Sequence, residues 1–479
     1  MTEVKRLHTD VLDSFPTVDE AEVDRLLNAE ITKSNLKIVV LDDDPTGVQT
    51  VHDVSVYTDW SPESIAAGFA EENNLFYILT NSRGFTVEQT TKAHQEIAQT
   101  VARTAKALGR DYILISRSDS TLRGHYPLET ALLQEETVKE GGPAADGEVL
   151  CPFFKEGGRY TLGNVHYVRY GEELVPAGET EFARDKTFGY MSSDLRDYVE
   201  EKTGGQYRAD SVTCIALEDL RAQAYDKIEA QLLAVKDFGK IAVNAVDYCD
   251  VKVFCVALYR AMAKGRQYLF RTAAALVKVI GGISSQPLLT RQDMVKTETK
   301  NGGIIVVGSH TQKTTAQLNA LLTVPGTEAI AFHSNLVLEG EAAFEAEIAR
   351  VVAKSEELIL AGVTPVCFTN RTLLTVANDT KEKALVRSVR ISEGVQALVG
   401  RLSVTPAFVI AKGGITSSDV GTKALQVKRA NVMGQIKPGI PVWQTGPESK
   451  FPGIPYIIFP GNVGEDTTLK EAVETLLQT

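Results

Sequence analysis

Three features are scarce or absent in this sequence of 479 residues, and each excludes a class of protein. No run of about 18 apolar residues occurs, so we expect no membrane span and no membrane partner. No Lys/Arg-rich run occurs, and acidic residues outnumber basic ones by 62 to 50, so we expect no nucleic acid partner. The five cysteines lack CxxC or His/Cys zinc spacing, which indicates a reducing, cytoplasmic location rather than a disulfide scaffold.

The remaining composition is that of a globular chain. With 43% hydrophobic and 23% charged residues, the chain can bury a large core, and its length predicts two or three domains. Residues 1–36 mix charges with short apolar stretches, and we expect a helical extension there rather than a signal peptide.

Short apolar runs alternate with longer helical patterns in both halves of the sequence, which is typical of βαβ units. The strand candidates are 37–41, 75–80, 111–116, 147–151, 211–215 and 240–245 in the first half, and 304–308, 327–332, 364–369, 407–412, 440–444 and 455–459 in the second. The sequence therefore predicts an α/β fold with two Rossmann-like domains and largely parallel sheets. A polar, Gly-bounded stretch predicts a linker at 283–302, between a first domain at 37–282 and a second at 303–479.

Three acidic residues, Asp42, Asp43 and Asp44, follow the first predicted strand and precede a Pro-Thr-Gly turn. Ligands bind outside the carboxyl ends of parallel strands, so these carboxylates are expected at the edge of a site. The alternative is a helix cap or an Asx turn, although a turn does not need three adjacent like charges.

Two further loops in the first half should open on the same sheet edge. They contain Arg83 within TNSRG and Arg123 within SRSDSTLRGH. A guanidinium group matches a carboxylate or phosphate bidentately, so both arginines are candidate anchors for an anionic substrate. For either arginine alone, a surface salt bridge is the alternative. The later loop 152–160 could form a lid or a pocket wall, and for His125 and His166 we favour structural hydrogen bonding.

Three strand ends in the second half combine glycine with hydroxyl residues. They are VGSHT at 307–311, KGGITSSD at 412–419 and FPGNVGED at 459–466. Backbone N–H groups at a helix start favour phosphate, so together they predict a nucleotide site, although glycine also serves ordinary turns. None of them is a Walker A loop or a GxGxxG motif.

The ordered set DDPTG, NSRG, SDSTLRG, VVGS, KGGITS and PGNVGE closely resembles the four-carbon acid sugar kinases, from about residue 36 to the end. The resemblance implies that the N-terminal domain binds a sugar acid, that the C-terminal domain binds ATP, and that a phosphoryl group is transferred to a hydroxyl. The extra Asp42, Pro45 and the N-terminal extension place the chain in a longer branch. Substrates to consider are 3-oxo-tetronates, threonate, erythronate and 3-oxo-isoapionate.

The resemblance also implies roles for individual residues. The catalytic candidates are Asp43, Asp44 and, in reserve, Asp119; the substrate-binding candidates are Thr46, Arg83, Ser120, Thr121 and Arg123; the nucleotide-binding candidates are Ser309, Gly413, Gly414, Thr416, Ser417, Gly461 and Gly464. Mg²⁺ is expected with ATP, and either Asp43 or Asp44 could contact it. Adjacent residues on an extended segment point opposite ways, so we expect one to serve as the base and the other to anchor the loop, with Asp44 preferred as the base. A homodimer is compatible with the sequence.

Two other functions remain as alternatives. Asp42-x-Asp44-x-Thr46 imitates the nucleophile motif of haloacid dehalogenase phosphatases, but the glycines and hydroxyls after the strand at 407–412 differ from the acidic Mg²⁺ motif expected there. A non-catalytic sensor of sugar acid and nucleotide could use the same pockets, although no basic helix-turn-helix or output module is recognisable.

Overall fold

The structure of the protein is a computed structural model that describes residues 4–295, 299–372, 374, 376, 379–461 and 463–477. It divides into two compact units. The first unit contains residues 1–47 and 59–285, and the second contains 48–58 and 286–479. No helix in the described ranges is long and apolar enough to cross a membrane.

The strands are numbered in chain order over these residues. They are β1 Leu7–His8, β2 Lys37–Asp42, β3 Val54–Tyr57, β4 Leu75–Leu79, β5 Tyr112–Arg117, β6 Gly147–Cys151, β7 Arg159–Leu162, β8 Val165–Tyr170, β9 Glu173–Pro176, β10 Thr213–Ile215, β11 Gly239–Val243, β12 Tyr268–Thr272, β13 Ile304–Val307, β14 Thr327–Phe332, β15 Thr364–Thr369, β16 Val409–Lys412, β17 Arg429–Lys437, β18 Ile440–Thr445 and β19 Pro455–Phe459.

The α-helices are numbered in the same way. They are α1 Glu20–Lys33, α2 Pro62–Ala70, α3 Val87–Leu108, α4 Leu128–Lys139, α5 Leu195–Lys202, α6 Leu217–Arg221, α7 Tyr225–Ala234, α8 Tyr248–Ala263, α9 Ala274–Ile280, α10 Arg291–Met294, α11 Gln312–Leu321, α12 Glu341–Leu360, α13 Lys381–Gly400, α14 Gly414–Asp419 and α15 Thr468–Leu477.

The first unit is built on a parallel sheet with the strand order β10-β11-β6-β12-β5-β2-β4. Its central strands are buried along almost their whole length, as expected for parallel strands covered on both faces. The longest helix of the unit, α3, starts at a capping box formed by Thr86 and Gln89 and ends at Gly109, whose φ is +61°. This arrangement confirms the predicted α/β fold for the first half.

A small antiparallel sheet, ordered β1-β9-β8-β7, also belongs to the first unit. It corrects the expectation that residues 1–36 form only a helical extension, because Leu7 pairs with Leu174 and only α1 of this stretch is α-helical. The hairpin between β7 and β8 turns at Gly163 and Asn164, both with positive φ, which is the typical signal of a two-residue turn.

The second unit contains a mixed sheet with the order β3-β17-β18-β19-β16-β13-β15-β14. The five strands from β19 to β14 are parallel, as predicted, whereas β17 and β18 form an antiparallel hairpin and β3 pairs antiparallel with β17. The pairing of Val54 with Val432 explains why residues 48–58 belong to this unit. The expected domain at 37–282 therefore differs from the observed unit by this segment, and the units divide at Ser285, inside the predicted linker.

Candidate active site

The predicted polar loops of the first unit follow neighbouring strands at one sheet edge. Strand β2 ends at Asp42, and the register pairs Asp42 with Leu79 on one side and with Arg117 on the other. Because these strands are parallel, the residues after their carboxyl ends converge on one edge of the sheet.

Asp42 and Arg117 form a buried ion pair at the base of this site. Arg117 Nε lies 3.0 Å from Asp42 Oδ1, and the two side chains are 1% and 5% exposed. Burial raises the pKa of Asp42 to about 7, against the opposing charge of Arg117 and with a smaller raising effect of Asp43 and Asp44. Sequence reasoning gave Arg117 no role, although an arginine and an aspartate at the ends of adjacent parallel strands are a recognisable signal.

This pKa predicts a pH-dependent stability that Asp42→Asn should remove. The pKa of about 7 in the folded state exceeds the ordinary value of about 3.9, so between these values the folded state holds a proton that the unfolded state lacks. Stability therefore falls as pH rises through this window, by at most about 1.4 kcal/mol per pH unit. Melting temperatures from pH 4.5 to 8 should fall more steeply for the wild type than for Asp42→Asn, and parallel curves would contradict this assignment.

Arg83 joins the two neighbouring carboxylates. Its Nη2 and Nε donate to Asp43 at 2.7 and 3.1 Å, and its Nη1 donates to Asp44 at 3.2 Å. The expectation that Asp43 and Asp44 point opposite ways is therefore wrong, because β2 ends at Asp42 and the chain turns before the alternation of a strand applies. Thr46 donates its amide and hydroxyl groups to Asp44 Oδ1 at 2.9 and 2.6 Å, so it fixes this carboxylate.

The third loop is organised around Asp119. Its Oδ2 accepts hydrogen bonds from the Thr121 hydroxyl and, at 2.7 Å, from Arg123 Nε. Burial opposes ionisation of Asp119, but the charges of Arg83 and Arg123 outweigh it and hold its pKa well below the usual range. Asp119 is therefore an ionised carboxylate among arginines. The structure thus brings together the candidates from all three loops of this half, while Ser120 contributes its backbone carbonyl to a hydrogen bond described below.

The histidines of this region have structural contacts. His166 lies within hydrogen-bonding distance of the Ser120 carbonyl and the Thr161 hydroxyl, at 2.8 and 3.0 Å. Burial lowers the pKa of His166 to about 4, so the ring is neutral near pH 7. His125 lies 3.1 Å from the Phe85 carbonyl and packs edge-on against Phe188. Both contacts agree with the structural interpretation of these residues.

The nucleotide-binding candidates of the second unit meet at the ends of β13, β16 and β19. Gly413 has φ +119° and ψ 145°, and a Cβ atom there would lie 3.2 Å from Ser309 Cβ. At Gly308, which follows β13, a Cβ atom would lie 2.2 Å from Thr416 Oγ1. The VGS and KGGIT loops therefore touch each other, and only glycine permits this approach.

The third loop of this unit is held by a buried lysine. Lys412 Nζ donates to the carbonyl groups of Pro460 and Gly461, at 2.5 and 3.2 Å. The Thr314 hydroxyl donates to Ser309 Oγ at 3.0 Å and lies 3.3 Å from the Gly461 carbonyl. Burial, with a smaller contribution from Lys313, lowers the pKa of Lys412 to about 7. Lys412 was not singled out from the sequence.

Some of the nucleotide-binding candidates lie beside the contacts between these loops rather than taking part in them. Ser417 is 1% exposed, and its hydroxyl donates to the Ala411 carbonyl at 2.9 Å, so it fixes α14 to β16. Gly414 starts the short helix α14, and Gly464 has φ +81° in the turn before α15. Asn462, part of the PGNVGE motif, lies outside the described residues.

A cavity of about 460 Å³ adjoins the VGS and KGGIT loops within the second unit. Its polar lining includes His310 and Thr369, and its apolar lining includes Ile391, Val395 and Ile415. Mixed apolar and polar walls of this size are typical of pockets for small organic ligands. Sequence reasoning missed this cavity because its lining comes from α13 and several separate loops.

The residues of the first unit do not fit a resident metal ion. The carboxylate oxygens of Asp43 and Asp44 are occupied by Arg83, Arg117 and Thr46. Within the described ranges, no group of three or more His, Cys, Asp or Glu residues is arranged to hold a metal. Mg²⁺ typically binds to proteins through one or two carboxylates together with substrate phosphates.

Comparison with solved structures supports the fold. A Haemophilus influenzae protein from a domain-of-unknown-function family has 17% sequence identity and a TM-score of 0.59, with 92% of this chain and 100% of that chain covered. A Salmonella typhimurium LT2 protein, solved under a provisional tRNA synthase name, has 16% identity and a TM-score of 0.65, with 91% and 98% covered. Comparison with curated protein sequences gives no match.

Two family profiles match most of the chain. The profile described as a sugar-binding N-terminal domain matches residues 38–280, and the profile described as a nucleotide-binding C-terminal domain matches residues 304–469. The first profile covers the three loops around Asp44, Arg83 and Asp119, and the second covers the glycine loops around Ser309, Gly413 and Gly461. The chain therefore belongs to the family defined by this pair of domains, the four-carbon acid sugar kinases.

Proposed function

We propose that this protein is a cytoplasmic, ATP-dependent kinase that phosphorylates a hydroxyl group of a small sugar acid in carbohydrate catabolism. The substrate would be a four-carbon or branched acid, such as a 3-oxo-tetronate or 3-oxo-isoapionate. The observation that carries this proposal is that one chain combines a sugar-binding with a nucleotide-binding domain. The arginine-rich loops of the first unit and the glycine loops of the second provide chemistry suited to each ligand.

In the proposed reaction, a substrate hydroxyl oxygen forms a bond to the γ-phosphorus of ATP as the bond from that phosphorus to the β,γ-bridging oxygen breaks. The hydroxyl proton must pass to a base, and ADP leaves. We assign the base to Asp44, because its side chain is 16% exposed whereas that of Asp43 is 3% exposed. Burial opposes ionisation of Asp44, but Arg83 and Thr46 lower its pKa, so it is ionised and can accept a proton.

A carboxylate with a lowered pKa is a weak base, and the chemistry tolerates this. Phosphoryl transfer passes through a loose transition state, so positioning and electrostatic stabilisation contribute more than early proton removal. Arg83 and Thr46 would orient Asp44, while Arg117 and Arg83 would hold Asp43 as the structural member of the pair. The glycine loops of the second unit would approach the phosphates with their backbone N–H groups.

Against the phosphatase alternative stands the burial of Asp42, the residue at the position of the nucleophile. Its side chain is 1% exposed and contacts Arg117, so a phosphate ester has no access to the carboxylate that would have to attack it. A pure sensor would leave ATP unconsumed.

A ligand screen followed by turnover tests the proposal. Melting temperature is measured with aldonates, 3-oxo acids and branched sugar acids, and each stabilising acid is then supplied with MgATP while ADP is monitored. ADP formation that requires the acid is the expected result. Phosphate release from generic phosphomonoesters without ATP would favour the phosphatase, and stabilisation by the acid without ADP formation would favour the sensor.

A further inference from the structure

Arg159, the first residue of β7, lacks within the described residues the carboxylate partner that Arg83, Arg117 and Arg123 possess. It differs from the equally unpaired Arg271 in that the Arg271 guanidinium donates to the Arg123 carbonyl. Arg83, Arg117 and Arg123 each contact an aspartate within 3.4 Å. In the described part of the chain, Arg159 forms no ion pair within 4.0 Å, and its Nε is buried without a hydrogen-bond partner. Arg159 as a whole is half-buried, and a partly desolvated cation without a counter-charge is a place where an anionic ligand can supply one.

Arg159 lies close to the third loop of the first unit, the loop that is organised around Asp119. Its guanidinium lies 5.6 Å from the ring centre of Phe182, and the Arg123 guanidinium lies 5.0 Å from the same centre. Asp119 is near enough to raise the pKa of Arg159, although burial has the larger, opposite effect. One aromatic ring therefore holds the paired Arg123 and the unpaired Arg159 close together.

The backbone of the adjacent loop is held from one side by buried side chains. The carbonyl oxygens of four consecutive residues accept hydrogen bonds: Ser120 from His166 at 2.8 Å, Thr121 from Tyr190 at 2.7 Å, Leu122 from Tyr198 at 2.8 Å and Arg123 from Arg271 at 2.8 Å. These four partners come from separate parts of the first unit, so the orientation of this loop is determined by its interior.

Because these carbonyl groups point towards the buried side chains, the amide groups that follow them in the loop point in the opposite direction. In a planar trans peptide, the C=O of one residue and the N–H of the next point in opposite directions. The Leu122 amide donates to the Asp119 carbonyl, whereas the amides of Thr121, Arg123 and Gly124 donate to no group in the described residues. Leu122 and Gly124 have φ +68° and +121°, and positive φ at alternate residues is a backbone pattern that lets successive amide groups converge on an anion.

We propose that Arg159 and the amide groups of Thr121, Arg123 and Gly124 form the site for the carboxylate of the substrate. Arg159 is then the specificity-determining residue that separates sugar acids from neutral polyols. This inference rests on the proposed function for the identity of the ligand. It shifts the anchoring role from Arg83, whose guanidinium is occupied by Asp43 and Asp44, to an arginine that forms no ion pair in the described residues.

Calorimetric titration of the full chain tests this site. The probes are threonate and erythronate, with threitol and erythritol as neutral analogues and MgATP as a control ligand. The variants are Arg159→Ala, Arg159→Lys, and Arg169→Ala on the neighbouring strand β8, whose exposed side chain donates to the Gly171 carbonyl. We expect the wild type to bind an acid but neither polyol. Arg159→Ala should weaken acid binding about 10- to 100-fold with MgATP affinity unchanged.

The two remaining variants make the result specific. Arg159→Lys keeps the charge but loses the planar fork, so it should recover part of the affinity, and Arg169→Ala should bind like the wild type. Equal acid affinity in Arg159→Ala and the wild type would overturn this inference while leaving the kinase proposal intact. Equal binding of acids and polyols by the wild type would overturn the carboxylate site, and binding of neither would contradict the site as a receptor for simple four-carbon acids. If Arg159→Ala fails to fold, Arg159→Lys is titrated with the sugar acids and with glycolate as a small carboxylate. Affinities equal to those of the wild type would then contradict a bidentate contact between the Arg159 guanidinium and the carboxylate.

Discussion

Replacing Asp44 by asparagine should leave a folded protein whose kcat is lowered about 10²- to 10⁴-fold. Asparagine keeps the shape of the side chain and can still accept the hydrogen bonds from Thr46, but it cannot accept the substrate proton. The affinities for MgATP and for the sugar acid should change much less than kcat. The measurements are kcat, the two dissociation constants and the melting temperature of each variant.

Asp43→Asn is the matched control for this experiment, because Asp43 is the adjacent carboxylate and contacts the same arginine. Its side chain is 3% exposed and contacts both Arg83 and Arg117, so its replacement leaves each of these cations with a single aspartate of this loop, Asp44 for Arg83 and Asp42 for Arg117. We expect lower stability, by about 3 kcal/mol, with part of the activity retained. Near-normal kcat in both folded variants would remove the pair from the chemistry and leave Asp119 as the base to examine.

Gly413→Ala should abolish measurable nucleotide binding while leaving the sugar-acid site intact. The φ and ψ angles of Gly413, +119° and 145°, lie in a region that is almost restricted to glycine. The added Cβ atom would also approach Ser309 Cβ to 3.2 Å, so the two loops expected to hold phosphate must separate. Titration with MgATP and, separately, with a sugar acid measures both effects.

Gly453→Ala is the control for backbone strain in the same unit. Gly453 also has positive φ, +73°, but a Cβ atom there would meet nothing within 4 Å. This variant should lose some stability and keep its nucleotide affinity. A folded Gly413→Ala protein that binds MgATP like the wild type would show that the KGG loop is only a turn.

Much of the fold could be predicted from the sequence, because parallel strands buried on both faces are short apolar runs with clear ends. The predicted strands at 304–308, 327–332 and 364–369 correspond to β13, β14 and β15 within one residue. β12 was missed because its apolar run, residues 268–270, is only three residues long and follows the buried helix α8 closely. Residues 216–235 have one continuous helical pattern of apolar residues, but the structure divides them into α6 and α7 at Gln223, whose φ is +53°.

The candidate site was predictable where one loop carries several polar residues, and not where the partners are distant in sequence. The loops around Asp44, Arg83 and Asp119 were identified because each follows an apolar strand. Arg159 was predicted only as part of the loop 152–160 that could form a lid or a pocket wall, and Arg271 was given no role, because their significance depends on the contacts of β7 and β12 rather than on a local pattern. The same holds for the pairing of residues 48–58 with the second unit, since β3 is a short strand whose partner β17 is nearly 400 residues away.

The central claim is that the γ-phosphoryl group of ATP is transferred to a sugar acid. Its most direct test is to incubate the protein with a stabilising sugar acid and ATP labelled with ³²P at the γ position, and then to separate the products. The account predicts that the label appears in a phosphate ester of the acid, in amounts equal to the ADP formed, and that Asp44→Asn loses this product. Label recovered only as inorganic phosphate, or retained in ATP with every acid that binds, would contradict the account.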